Sequence, residues 1–290
     1  MPSQATHYFA LEKLLTPITH LKNILALAQW DKATMLASGA AASRQREIAS
    51  GTSIAHKMLT APAVGECIAA ASQEEDLLDE WQKANLKVIK KAYEEARCIP
   101  AELKEQYSVV TGTCEFVWRK ARKNNDFKLL SPHLDQVFGL ARQVGALRAK
   151  QFGQKPYDTL LDVYNPDFTS QSIKAVYAVL KAELPDLIQT IVDRQASETV
   201  IPLTEKIDEA TQKALNLKIV EKMGFSLAHG RLDKSAHPFC DGSNDDVRLT
   251  TRYEEDNFLS ALTSTMHEVG HGLYQQNLPQ AYRDQPEGAA

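Results

Sequence analysis

Three residues in one five-residue stretch can do chemistry together: His267, Glu268 and His271, in the order His267-Glu268-Val269-Gly270-His271. On an α-helix, positions i and i+4 lie one turn apart on one face, so both imidazoles can reach a single ion. Zinc takes imidazole nitrogen at about 2.0–2.1 Å, and a catalytic zinc site keeps one position open for water. A glutamate beside the first histidine can take the water's proton and later pass it to a leaving amine. The pattern H-E-x-x-H on a helix is the signature of a metallopeptidase. It makes His267 and His271 the candidate zinc ligands and Glu268 the candidate general base. Cobalt or manganese can occupy a comparable His/His/Glu site.

This chemistry requires a helix at that place. Leu262, Met266, Val269 and Leu273 recur at helical spacing. Asp256 is the expected N-cap, and Asn277 with Pro279 the expected stop. Gly270 and Gly272 each cost about 1 kcal/mol relative to alanine inside a helix, so their presence points to close approach by another backbone or by substrate. Immediately upstream, Val247-Arg248-Leu249-Thr250-Thr251-Arg252-Tyr253 alternates. Val247, Leu249, Thr251 and Tyr253 share one face, while Arg248, Thr250 and Arg252 share the other. The β-branched and aromatic content predicts a half-buried strand with its charged face towards solvent.

The rest of the chain reads as helix. Apolar residues at steps of three and four run from Tyr8 to Trp30, across Pro17, and again from Leu77 to Tyr93. Further helices are predicted over 101–123, 132–152, 169–197 and 204–223, with Gly224 placed to end the last. Loops are expected at Lys123–Asp126, Tyr164–Asp167 and Asp241–Asp246. With no repeat and no linker-like stretch, residues 1–290 read as a single, mainly α domain.

Composition removes other classes. The 290 residues are 43% hydrophobic, with 33 basic and 37 acidic side chains for a net charge of −4. That balance does not suit a disordered chain, and it gives no electrostatic footprint for nucleic acid. No apolar run is long enough to span a membrane, and the first residues lack a secretory pattern. The four cysteines, Cys67, Cys98, Cys114 and Cys240, form no C-x-x-C pair and read as reduced thiols in a cytoplasmic protein.

Beyond the zinc helix, other segments carry a resemblance. His267-Glu268-Val269-Gly270-His271-Gly272-Leu273-Tyr274 is similar to the zinc helix of the M32 metallocarboxypeptidases, the carboxypeptidase Taq family. His237-Pro238-Phe239 resembles that family's H-P-F signature, and Asp246-Val247-Arg248-Leu249-Thr250 its D-x-R-x-T signature. Trp30-Asp31-Lys32-Ala33-Thr34-Met35 resembles its W-D-x-x-T-M element. Gly230–Asp233 and Tyr157–Asp162 also fit, so the likeness runs from about residue 8 to the last residue.

The resemblance implies a helical gluzincin-type metallopeptidase fold with a groove and a short strand beside the zinc helix. It implies a cytoplasmic homodimer acting on peptides, with neither a nucleic-acid nor a membrane partner. Single residues would leave peptide C-termini with broad specificity, proline excepted. His267 and His271 would bind zinc, with Glu268 as base. Asp246, Arg248 and Thr250 would lie beside the cleft and His237 near its wall. Two plainer roles stay open: Asp246 and Arg248 as a simple ion pair, and His237 as a loop histidine. Trp30 and Asp31 read as packing and helix-end residues.

The family's third ligand is a glutamate in an H-E-S/G-type motif on the helix after H-E-x-x-H. It is expected beyond Ala290, so the chain reads as the N-terminal portion of a longer protein, inactive or poorly active alone. Glu287, 16 residues after His271 and flanked by Pro286 and Gly288, is a weaker candidate. Two alternatives have other chemistry: a helical zinc oligoendopeptidase, and a non-catalytic binding or dimerisation module.

Overall fold

The structure, a computed structural model, describes residues 5–199 and 202–286. Its helices are α1 (Thr6–Thr34), α2 (Ala41–Leu59), α3 (Pro62–Ala71), α4 (Glu80–Arg97), α5 (Ala101–Asn124), α6 (Phe127–Phe152), α7 (Pro156–Leu161), α8 (Ser170–Gln195), α9 (Glu209–Lys222) and α10 (Phe258–Gln276). Its strands are β1 (Gly230–Lys234), β2 (Cys240–Ser243) and β3 (Asp246–Thr251). The chain is mainly helical, as its periodicity predicts, and divides into two compact units: residues 1–137 with 205–290, and residues 138–204.

Local chemistry sets the helix ends. At the start of α4, Asp79 accepts from the Gln82 N–H at 2.8 Å while Gln82 Oε1 accepts from the Asp79 N–H at 3.0 Å, a reciprocal capping box. Asn125, at φ 54°, closes α5 in the left-handed region, and Gly224, at φ 95°, follows α9 in the same region. The N-cap of α10 is Asn257, which accepts from the Ser260 N–H at 3.3 Å, and not Asp256 one residue earlier.

The first unit holds two cores. In one, Tyr8, Leu11, Leu15 and Ile18 of α1 meet Val64 and Ile68 of α3 and Leu86, Ile89 and Tyr93 of α4. Buried Asn85 donates to the Tyr8 hydroxyl at 2.9 Å within it. Trp81, which falls within the apolar series from Leu77 to Tyr93, is 45% exposed and stacks on Tyr282, ring centroids 5.1 Å apart. The second core gathers Val220 of α9, Phe225, Leu232, Val247, Leu249 and Val269 of α10 around a three-stranded sheet. Its order is β1-β3-β2, with β1 parallel and β2 antiparallel to β3.

Helix α10 lies on this sheet. Thr251 Oγ1 donates to the Ala261 carbonyl at 3.2 Å, and Asn216 Nδ2 of α9 donates to Thr265 Oγ1 at 3.0 Å. At the far end Gln276 accepts from the Ser226 N–H and donates to its carbonyl, both at 3.0 Å. Beyond α10 the chain returns to α1, where Thr19 Oγ1 donates to the Asp284 carbonyl at 3.0 Å. Arg283 pairs with Asp245 of the β2–β3 turn.

In the second unit, buried Arg148 donates to the Thr159 carbonyl at 3.1 Å and Asp158 accepts from the Ser170 N–H at 2.8 Å. The Tyr157–Asp162 segment thus fastens α6 and the start of α8.

This packing sets the outcome of three substitutions. A Cβ on Gly272 would stand 2.6 Å from the buried Phe225 ring, whereas a Cβ on Gly270 meets nothing within 4 Å. Gly270→Ala is therefore expected to raise stability by about 1 kcal/mol through helix propensity. Gly272→Ala is expected to lower it, because overpacking costs about 1–3 kcal/mol against the same gain. Tyr8→Phe removes the acceptor facing buried Asn85 and is expected to cost about 1–3 kcal/mol. Urea denaturation of the three variants beside the parent chain checks all three values.

Candidate metal centre

The packing of α10 decides which of its side chains are free. Ala261, Thr265, Glu268, Val269 and Gly272 are buried against sheet and α9, while His267, Gly270, His271 and Tyr274 form the exposed stripe. His267 Nε2 and His271 Nε2 converge to 3.2 Å, with their ring planes at 80°. Two nitrogens bound tetrahedrally to one zinc at 2.0–2.1 Å lie about 3.3 Å apart. The separation of the pair therefore matches that of two ligand positions on one zinc ion.

Glu268 sits on the inner side of the same turn, 7% exposed, with no hydrogen-bond partner among the described residues. Its carboxyl faces the Cys240 neighbourhood on β2. Burial, helped by the nearby Glu268 and Asp241 carboxyl groups, pushes the Cys240 thiol up to about 12. Cys240 therefore stays a neutral thiol at physiological pH, with Sγ 3.7 Å from Gln275 Oε1. Phe225, whose ring requires Gly272, carries no signal in the sequence, and Cys240 reads there only as one of four reduced thiols. Cys240 follows directly on His237-Pro238-Phe239, and its pairing opposite Leu249 turns it towards α10.

Among the described residues, no group of three or more His, Cys, Asp or Glu is placed to hold a metal ion. Glu287 lies outside the described residues.

Strand alternation separates the D-x-R-x-T side chains from the histidine pair. Val247, Leu249 and Thr251 face α10, so Asp246, Arg248 and Thr250 project from the opposite face of the sheet. That face does not meet open solvent. Arg248 grips Asp246 with Nε–Oδ1 at 2.6 Å and Nη2–Oδ2 at 2.5 Å, and its guanidinium lies 4.6 Å from the Trp30 ring centroid. Arg231 of β1 lies over the same indole at 5.2 Å. Trp30, near the end of α1, is only 4% exposed, so an aromatic from the start of the chain covers a face whose charges suggested solvent. Asp31 pairs with Arg44 of α2.

Thr250, fully buried, fastens the loop that carries the H-P-F segment. Its Oγ1 accepts from the Phe239 N–H at 2.9 Å and lies 2.8 Å from Ser235 Oγ, which itself stands 2.5 Å from the His237 carbonyl. His237 is exposed on that loop between β1 and β2. The structure thus joins Thr250 to the H-P-F loop and Arg248 to Asp246. It brings neither group into hydrogen-bond contact with His267 or His271.

Comparison with known proteins agrees with this geometry. The profile of the carboxypeptidase Taq (M32) metallopeptidases matches residues 10–290. Carboxypeptidase 1 of Bacillus subtilis is 30% identical over 269 residues, covering 92% of this chain and 53% of that protein. Thermostable carboxypeptidase 1 of Thermus thermophilus is 31% identical over 282 residues, covering 93% of this chain and 55% of that protein. The solved structure of Trypanosoma cruzi metallocarboxypeptidase 1 superposes with a TM-score of 0.87 at 33% identity, over 98% of this chain and 57% of that one. The chain spans about half the length of the curated relatives it matches. On this match the chain belongs to the M32 family, the carboxypeptidase Taq metallopeptidases.

Proposed function

We propose that this chain carries the metal-binding and proton-transfer part of a zinc-dependent carboxypeptidase that releases single residues from peptide C-termini with broad specificity. The observation that supports it most is the convergence of His267 and His271 to 3.2 Å on the exposed face of α10, with Glu268 held one position round the same turn. Membership of a metallopeptidase family supports a divalent ion there. Imidazole donors favour zinc, and cobalt or manganese are the alternatives. When bound, the ion supplies Lewis acidity to the scissile carbonyl.

In this reading the two imidazoles hold the ion by Nε2. Glu268 takes a proton from the attacking water as the carbon–oxygen bond forms. It returns that proton to the amine nitrogen as the carbon–nitrogen bond breaks. Its sheltered position keeps the carboxylate sparsely solvated. Thr250 acts through the H-P-F loop that it fastens, and the Asp246–Arg248 pair acts by stiffening the strand beneath α10. His237, exposed and without a side-chain hydrogen bond among the described residues, is the member of the set free to meet a peptide. The third protein ligand is supplied from outside the described residues. The family resemblance extends the reading to a cytoplasmic homodimer.

The test is product analysis on a blocked peptide series, with zinc supplied. Sequential release of single C-terminal residues is expected, and Glu268→Gln is expected to lower kcat by about 10²–10⁴-fold. Internal fragments instead of single residues would make the protein an endopeptidase. Activity that survives Glu268→Gln undiminished would remove Glu268 from the chemistry.

A further inference from the structure

We propose that a cavity walled by the end of α1, the start of α2 and the middle of α5 binds a small aliphatic carboxylate. Its volume is about 470 Å³, within the range of small-molecule sites. None of its lining residues belongs to α10 or to the sheet. The Trp30–Met35 element, which the proposed peptidase chemistry leaves unused, contributes Lys32 to it.

The polar groups of the cavity are fixed before any ligand arrives. Lys32 Nζ lies 2.9 Å from Glu115 Oε2 and 3.4 Å from Gln45 Oε1. Arg119 Nη2 lies 2.6 Å from Glu115 Oε1. Gln45 is anchored in turn by donating to the Ser108 carbonyl at 2.8 Å. It is seated on Gly112, where a Cβ would stand 2.0 Å from its amide carbon. Burial alone would push the Glu115 carboxyl up. The hydrogen bonds and charges of Lys32 and then Arg119 outweigh that and hold it below the usual carboxylate range.

The donors exceed the acceptors. Both Glu115 oxygens are taken, by one cation each. An ammonium has three N–H donors and a guanidinium five. One Lys32 proton and four of Arg119 therefore have no protein acceptor among the described residues. Lys32 is well sheltered, its side chain only 15% exposed. Two cations against one carboxylate leave a net positive charge at the polar end. Leu36 and Phe116 furnish apolar wall on the rest of the cavity. Unspent charged donors beside an apolar wall suit an acceptor-only anion with a short hydrocarbon body. A bare inorganic anion would leave the apolar wall unused, and an amine would meet like charge.

The experiment is isothermal titration of the whole chain with 4-methylpentanoate, acetate, inorganic phosphate and 3-methylbutylamine. Each buried methylene is worth roughly fourfold in affinity. With part of its body buried, 4-methylpentanoate is expected to bind at least about tenfold more tightly than acetate or phosphate, and the amine not at all. Arg119→Gln is expected to weaken it about tenfold or more. Phe116→Ser changes only the apolar wall and is expected to weaken 4-methylpentanoate while leaving acetate unchanged. It keeps the test decisive if loss of Arg119 disturbs folding, which a melting curve reports. Equal affinity for all three anions, binding of the amine, absence of binding, or indifference to both substitutions would overturn the proposal.

Discussion

Helix α10 has to satisfy two demands with one 3.6-residue period, and the rest of this half of the molecule follows from that constraint. One stripe must be sealed, because Ala261, Thr265 and Val269 are buried against α9 and the sheet. The opposite stripe must stay open, because His267 and His271 are useful only where an ion and a substrate can reach them. Glu268 falls between the two stripes, rotated about 100° from His267. It is therefore beside the open site yet sheltered by the strand that packs on α10. Gly272 is what lets the sealed side close, since only a hydrogen fits beneath the Phe225 ring.

The support for α10 is layered. Behind the helix stands β3, whose Val247 and Leu249 complete the apolar contact. Behind β3 stands α1, whose Trp30 covers the charged side of the sheet with Arg248 and Arg231 over its ring. Arginine suits this layer, because its planar, weakly hydrated guanidinium can stack on indole while it grips a carboxylate bidentately. After α10 the chain runs back to α1 and α4, through Asp284 on Thr19 and Tyr282 on Trp81. The helix that carries the histidines is thus fixed at both ends as well as along one side.

Much of this was legible in the residues. The chemistry-bearing helix, its C-terminal stop and the strand before it all follow from spacing and capping chemistry. So do the long helices, because several turns of amphipathic pattern outweigh any single misleading residue. Short elements were not legible. Strands β1 and β2 are five and four residues long and contain glycine and aspartate, which read as turn. Their pairing with β3 supplies what local propensity lacks. Helices α2 and α3 are rich in alanine, serine and glycine, so their apolar stripes are faint. The charged face of β3 misled for a different reason. The residue that covers it, Trp30, lies more than 200 positions away in sequence, and no local pattern reports such a contact. Thr250 reads as a strand threonine until its hold on the H-P-F loop is seen, because its partners Phe239 and Ser235 lie 11 and 15 positions away, beyond the reach of strand alternation.

The central claim is that His267 and His271 share one metal ion. The most direct measurement is a zinc titration of this chain, with bound metal counted per chain, for the parent, His267→Ala, His271→Ala and Glu268→Gln. The account predicts one ion per parent chain, its loss in either histidine variant, and its retention in Glu268→Gln. Zinc binding that both histidine substitutions leave intact, or that either histidine variant keeps at the parent's affinity, would contradict it.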